Sequence, residues 1–102
     1  MTNLVAAALI LTASWERLSD QGKLAANGRP FDTNLLTCAT WRYPLGSHLR
    51  VTDIHNGFSV CVLVTDRPHR RFPNRIDLSP AAFSRLNGLG LGTCVVSVTE
   101  KY

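Results

Sequence analysis

Apolar residues in this chain gather in short runs separated by turn residues, and none sustains a helical period for long. Leu49, Val51 and Asp53 alternate with Arg50, Thr52 and Ile54, which predicts a strand over Leu49–Ile54, although the alternation is imperfect. Phe58–Thr65 is rich in β-branched residues and apolar at consecutive positions. That predicts a strand buried on both faces. Thr93–Thr99 reads as a final strand, and Leu35–Thr40 and Arg75–Leu78 as shorter extended pieces. One helix is predicted, near 80–87. Ser79 can cap it, Pro80 suits its first position, and Asn87-Gly88 stops it.

The punctuation agrees with a β fold. Glu16–Gly28 is polar and turn-like, with Gly22 and Asn27-Gly28 as breakers. Tyr43-Pro44-Leu45-Gly46 marks a turn, and His55-Asn56-Gly57 marks a hairpin, because Asn-Gly readily takes positive φ. Asp66–Asn74 is a loop carrying Arg67, Arg70 and Arg71. Short strands, frequent turns and one helix predict a mainly β domain, a small barrel.

Leu4–Leu11 is an unbroken apolar run, too short to span a bilayer as a helix. It resembles the apolar region of a signal peptide, yet no Lys or Arg precedes it and no clear small-x-small cleavage site follows. The alternative is a first buried strand, or a helix leading into one, and the sequence leaves both open. The expected division is a 1–12 apolar segment and a 13–102 barrel. With 102 residues there is room for one core. Apolar residues at 45% and charged residues at 18% exclude wholesale disorder. Eleven bases against seven acids give +4, and nine of the bases are Arg, which suits an anionic partner without choosing it.

Little in the sequence declares chemistry by itself. No Gly-x-Ser-x-Gly or Walker-type loop occurs, and Gly88, Gly90 and Gly92 follow the helix instead of opening one. Cys38, Cys61 and Cys94 are odd in number and match no zinc module, and Cys61 and Cys94 read as small core residues. His48, His55 and His69 read as surface turn residues, so neither a metal nor a cofactor is expected. Asp66 stands out among the carboxylates. It ends the most buried strand and opens an Arg-rich loop, where partial desolvation and a nearby guanidinium can tune an acid. Asp77 is expected to order the start of the helix, and Asp32 to close an Asx turn. Trp15 is expected in the core, and Trp41 in core or rim packing. The Arg67/Arg70/Arg71/Arg75 cluster could meet nucleic acid or an anionic glycan equally well.

A set of motifs occurs in order along the chain. They include Ala13-Ser14-Trp15, Ala26-Asn27-Gly28-x-Pro30-Phe31-Asp32, Leu36-Thr37, Pro44-Leu45-Gly46-Ser47, Leu49-Arg50-Val51-Thr52, Val64-Thr65-Asp66-Arg67 and Arg75-Ile76-Asp77-Leu78-Ser79. Together they resemble the rare-lipoprotein-A (RlpA)-like double-psi β-barrel domain over roughly residues 13–99. The resemblance implies a six-stranded double-psi barrel that binds peptidoglycan glycan strands and cleaves them as a lytic transglycosylase. It places the catalytic acid on Asp66. The family's glutamate falls on Arg29 and its histidine on Thr40, so two of its polar groups are absent. Asn27, Gly28, Arg29, Thr40, Trp41 and Arg67 become the expected substrate-binding residues, with Arg29 expected near Asp66. A lone aspartate suits transglycosylation, because the sugar's own C6 hydroxyl replaces water as nucleophile. One carboxyl can give a proton and then take one, whereas hydrolysis usually employs two. The alternative is an expansin-like module that binds cell-wall glycan without cutting it. Nucleic acid is the less expected partner. A cell-envelope or periplasmic location follows if the first segment is a signal, and a phage or cytosolic product if it is not. The sequence sets no oligomeric state.

Overall fold

In the computed structural model, residues 7–101 are described. Six strands form where the apolar runs lie: β1 (Leu9–Trp15), β2 (Thr37–Ala39), β3 (His48–Asp53), β4 (Ser59–Asp66), β5 (Arg75–Leu78) and β6 (Thr93–Lys101). They close into a barrel in the order β1-β5-β2-β4-β3-β6. β1 runs parallel to β5 and β2 parallel to β4, while the remaining neighbours are antiparallel. This is the six-stranded double-psi barrel that the resemblance implied. β1 begins at Leu9, so the end of the apolar run belongs to the barrel, and the run's Leu4, Val5 and Ala6 lie outside the described residues. Among the described residues no helix is long and apolar enough to cross a membrane.

The core follows from strand alternation. Leu11 and Ala13, Leu49 and Val51, Val60, Val62 and Val64, Ile76 and Leu78, and Val96 and Val98 all point inward. Each such Leu, Ile or Val contributes about 1.5–3 kcal/mol by leaving water. The expectation that β4 is buried on both faces is corrected. Its alternate residues Cys61 and Leu63 face outward, Cys61 exposed, because a barrel wall has only one inner face. Cys94 is buried as expected. His48 is likewise corrected: it lies in β3, not in a turn, though it is exposed.

The helix α1 (Pro80–Ser84) starts where the capping signal placed it: Ser79 Oγ accepts from Ala82 N at 3.2 Å. It seats Phe83, fully buried, against the barrel core. Between β3 and β4 the predicted hairpin turns through Gly57, whose φ of +80° suits glycine and whose N–H donates to Asp53 O.

One irregularity positions the site. In the β2–β4 pair, Thr37 faces Leu63 and Cys38 faces Val64, but Ala39 faces Asp66. Thr65 is thus an extra residue, a β-bulge. Strict alternation from Val60, Val62 and Val64 would send residue 66 into the core. The bulge buries Thr65 beside Val64 and turns Asp66 half out of the barrel.

Candidate functional site

The C-terminal ends of β1, β2 and β4 converge on one face of the barrel. Together with the loop after β4 and the side of β5 they enclose an open cleft of about 710 Å³. Its chemistry comes from Glu16, Asp66 and Asp77, set among Arg67, Arg70 and Arg75.

Asp66 is held by main chain. Its Oδ1 accepts from Ala26 N and from Arg67 N, both at 2.8 Å. The Ala25–Arg29 turn that supplies Ala26 is itself tied to β4, since Asn27 N donates to Thr65 O at 3.1 Å. Two amide donors on one oxygen fix the carboxylate's orientation. Oδ2 takes part in neither bond.

Glu16 follows β1 directly. Its N–H donates to Leu78 O at 2.8 Å, so the backbone is pinned to the end of β5. Its Oε1 is buried with no hydrogen-bond partner among the described residues. Burial pushes its carboxyl up to about 8, and the negative charges of Asp66, Asp77 and Asp20 add to the rise. Among the described residues the ion pairs are Lys23–Asp20 and Arg75–Asp77, so no cation pairs with Glu16.

The arginines are occupied in building the walls. Arg67 Nη1 donates to the carbonyls of Thr40 and of Tyr43. Trp41 Nε1 donates to Pro68 O at 2.9 Å, and Arg42 Nη1 donates to Pro73 O at 2.6 Å, so the segment after β2 holds the loop after β4. Arg71 sits 4.4 Å and Arg67 5.4 Å from the Trp41 ring centroid. Arg75 Nε donates to Asp77 Oδ1 at 3.1 Å, and its Nη2 to Ser14 Oγ at 3.1 Å, while Ser14 Oγ also bonds Asp77.

The expected site residues divide. Asp66 and Arg67 line the cleft, and Trp41 braces its loop from the rim, still 36% exposed. Arg29 does not pair with Asp66. Its N–H donates to Asn27 Oδ1 at 3.0 Å, and both residues line a separate hollow of about 150 Å³ on the far side of the turn. The reason is the turn itself: with φ of +82°, Gly28 reverses the chain and presents Ala26, not Arg29, to Asp66. Thr40 is fully buried, so it holds the loop from beneath, its Oγ1 accepting from Arg42 N at 3.1 Å. Asp77 does not order the helix start. It belongs to the cleft wall with Ser14 and Arg75, and Ser79 caps α1 without it. Cys38 is fully buried and its thiol pushed far up by burial and by the charges of Glu16 and Asp77. Asp32 closes its Asx turn onto Asn34 N at 2.9 Å. Trp15 packs against the core and donates Nε1 to Leu89 O at 2.9 Å.

Glu16 is the group that the sequence does not announce. Its place at the head of a polar turn segment hides it, yet the feature that singles out Asp66, an acid at the end of an inward-facing strand, applies to it equally.

The chain is 40% identical over 90 residues to the endolytic peptidoglycan transglycosylase RlpA of Pseudomonas aeruginosa (strain UCBPP-PA14), a match covering 88% of this chain and 26% of the relative. It thus spans about a quarter of that relative's length. Among solved structures, the Streptomyces papain inhibitor superposes with a TM-score of 0.79 at 24% identity, covering 94% of this chain and 96% of that one. A mutant expansin of Clavibacter michiganensis, in complex with cellohexaose, superposes with a TM-score of 0.75 at 22% identity, covering 94% of this chain and 51% of that one. Both superpositions establish the fold. Residues 10–98 match the family described as lytic transglycolase, and the chain belongs to that family.

Proposed function

We propose that this chain binds peptidoglycan glycan strands in the cleft and cleaves them as a lytic transglycosylase, with Asp66 the carboxylate acting at the scissile bond. The observation that carries the reading is the fixing of Asp66 by the amides of Ala26 and Arg67 within an open cleft. Family membership and the activity named for the Pseudomonas relative support it. A carboxylate so held can take the proton of the sugar's C6 hydroxyl as that oxygen attacks the anomeric carbon. Arg70 and the rim of the Trp41 loop offer contacts for acidic groups along the strand. Such a substrate places the protein in the cell envelope or periplasm. Nucleic acid fits less well, because the Arg67 and Arg75 guanidinium groups are turned to partners within the fold.

Digestion of purified peptidoglycan, intact and peptide-stripped, with products read by mass spectrometry, tests the reading. Anhydro-ended products are expected, falling at least about 10²-fold in Asp66→Asn. Reducing ends would mean hydrolysis instead. The second reading, an expansin-like module that binds without cutting, is favoured by the exposed Trp41 ring braced beside the cleft. It predicts sedimentation with the sacculus and no products from either chain.

A further inference from the structure

We propose that Glu16 is the proton donor of this cleft and Asp66 its base, so that cleavage uses two carboxyl groups. The inference rests on the transglycosylase reading above and assigns a role that it leaves unfilled. Asp66 accepts two main-chain amide hydrogen bonds on one oxygen, which holds its carboxyl in place in the cleft and leaves Oδ2 out of both bonds. A leaving glycosidic oxygen also needs a proton, from a group that still holds one at neutral pH.

Glu16 meets that need by position. It lines the same cleft, its backbone is fixed to Leu78 O, and its Oε1 is buried without a partner among the described residues. Each element packed around it bears on its charge. Arg17 adjoins it on its own segment and is exposed, and Asp20 follows on the next turn. Cys38 on β2 is fully buried. Arg67, beyond Asp66 at the end of β4, donates to Thr40 and Tyr43 carbonyls, and Arg75 on β5 pairs with Asp77. His69 and Arg70 stand on the exposed loop across the cleft. Glu16 therefore faces three carboxylates and no paired cation, and its carboxyl titrates near 8, with burial the main cause and Asp66 the strongest neighbouring charge. Two carboxyl groups lining one cleft, one of them holding its proton, are an arrangement that acid–base cleavage uses.

The step balances without a co-reactant. Glu16 gives its proton to the glycosidic oxygen as the C1–O bond breaks. The C6 hydroxyl oxygen bonds to C1, and its proton passes to Asp66. The products are a 1,6-anhydro end and a free 4-hydroxyl, and solvent returns the proton from Asp66 to Glu16.

The test pairs turnover with titration. In the full chain, Glu16→Gln is expected to lower anhydro-product formation about 10²-fold or more while sedimentation with peptidoglycan is kept. The wild-type rate is expected to fall above about pH 8, where Glu16 ionises. Carboxyl-carbon NMR of the wild-type chain should show a glutamate titrating near 8, absent in Glu16→Gln and lowered in Asp66→Asn, where the strongest neighbouring charge is gone. An active wild type with an equally active Glu16→Gln would overturn this inference alone. A Glu16 that titrates in the ordinary carboxylate range would also overturn it, without needing turnover. A wild type that binds peptidoglycan and releases no products would sink the transglycosylase reading and this role with it.

Discussion

Asp53 and Glu16 are both carboxyl groups withdrawn from water, one closing β3 and the other following β1, and their surroundings differ in kind. Asp53 is 1% exposed. Its Oδ1 accepts from His55 N at 2.8 Å and Asn56 N at 3.4 Å, and its Oδ2 from Asn87 Nδ2 at 3.0 Å. Burial alone would raise its pKa. The bonds from His55, Asn87, Asn56 and the Cys94 thiol outweigh burial and hold it below the usual carboxylate range. Glu16 has burial and like charges but no such donors, and its affinity for a proton rises. Depth of burial thus does not decide what a carboxyl group does. The donors supplied to it do. One strand end uses its acid to tie a hairpin to the turn after α1, and the other keeps an acid loaded.

The largest way to break this contrast is Asp53→Ala. It strands the His55 and Asn56 amides and the Asn87 side chain, and about 3 kcal/mol of stability should be lost, read as a lower denaturant midpoint at unchanged slope. The Glu16 titration near 8 should survive it. A second effect, confined to a pH window, comes from Glu16. The folded chain keeps that proton to about pH 8 and the unfolded chain gives it up near 4.5. The folded state thus binds more protons between those values, and its contribution to stability falls as pH rises through the window. Urea unfolding at stepped pH should show this decline in the wild type and lose it in Glu16→Gln. Asp53 works in the opposite sense: its contribution is full above the ordinary value of 3.8 and lost on acidification through its lower folded value. The smallest effect belongs to the rim. Trp41→Ala removes the ring between Arg67 and Arg71 and should weaken sedimentation with peptidoglycan about 5-fold, close to 1 kcal/mol.

Much of the barrel was legible because its signals are local. Alternation marked β3, the Asn56-Gly57 turn marked the hairpin, and Ser79-Pro80 marked the start of α1. Asp66 was legible too, as an acid ending a strand that opens an Arg-rich loop. What escaped depends on contacts between distant segments. The environment of Glu16 is assembled from Asp20, Asp66 and Asp77, on three different elements. Asp77 joins the cleft only because β5 lies parallel to β1, opposite Ser14. Arg29 misses Asp66 through the sense of a single turn at Gly28. The inner and outer faces of β4 cannot be told apart in the sequence while both carry apolar residues, which is why Cys61 reads there as core.

The extra residue at Thr65 has a consequence for how this chain tolerates change. A strand has a phase, and β4 is in phase with the interior as far as Val64, then half a period out from Asp66 onward. Drawing Thr65 into the ladder, so that strict alternation ran on through residue 66, would look like an improvement in regularity. It would also rotate the carboxylate into hydrocarbon and leave the Ala26 amide facing nothing. The flaw in the weave and the seating of Asp66 in the cleft are one feature, so a sequence drifting toward the smoother barrel gives up that seating.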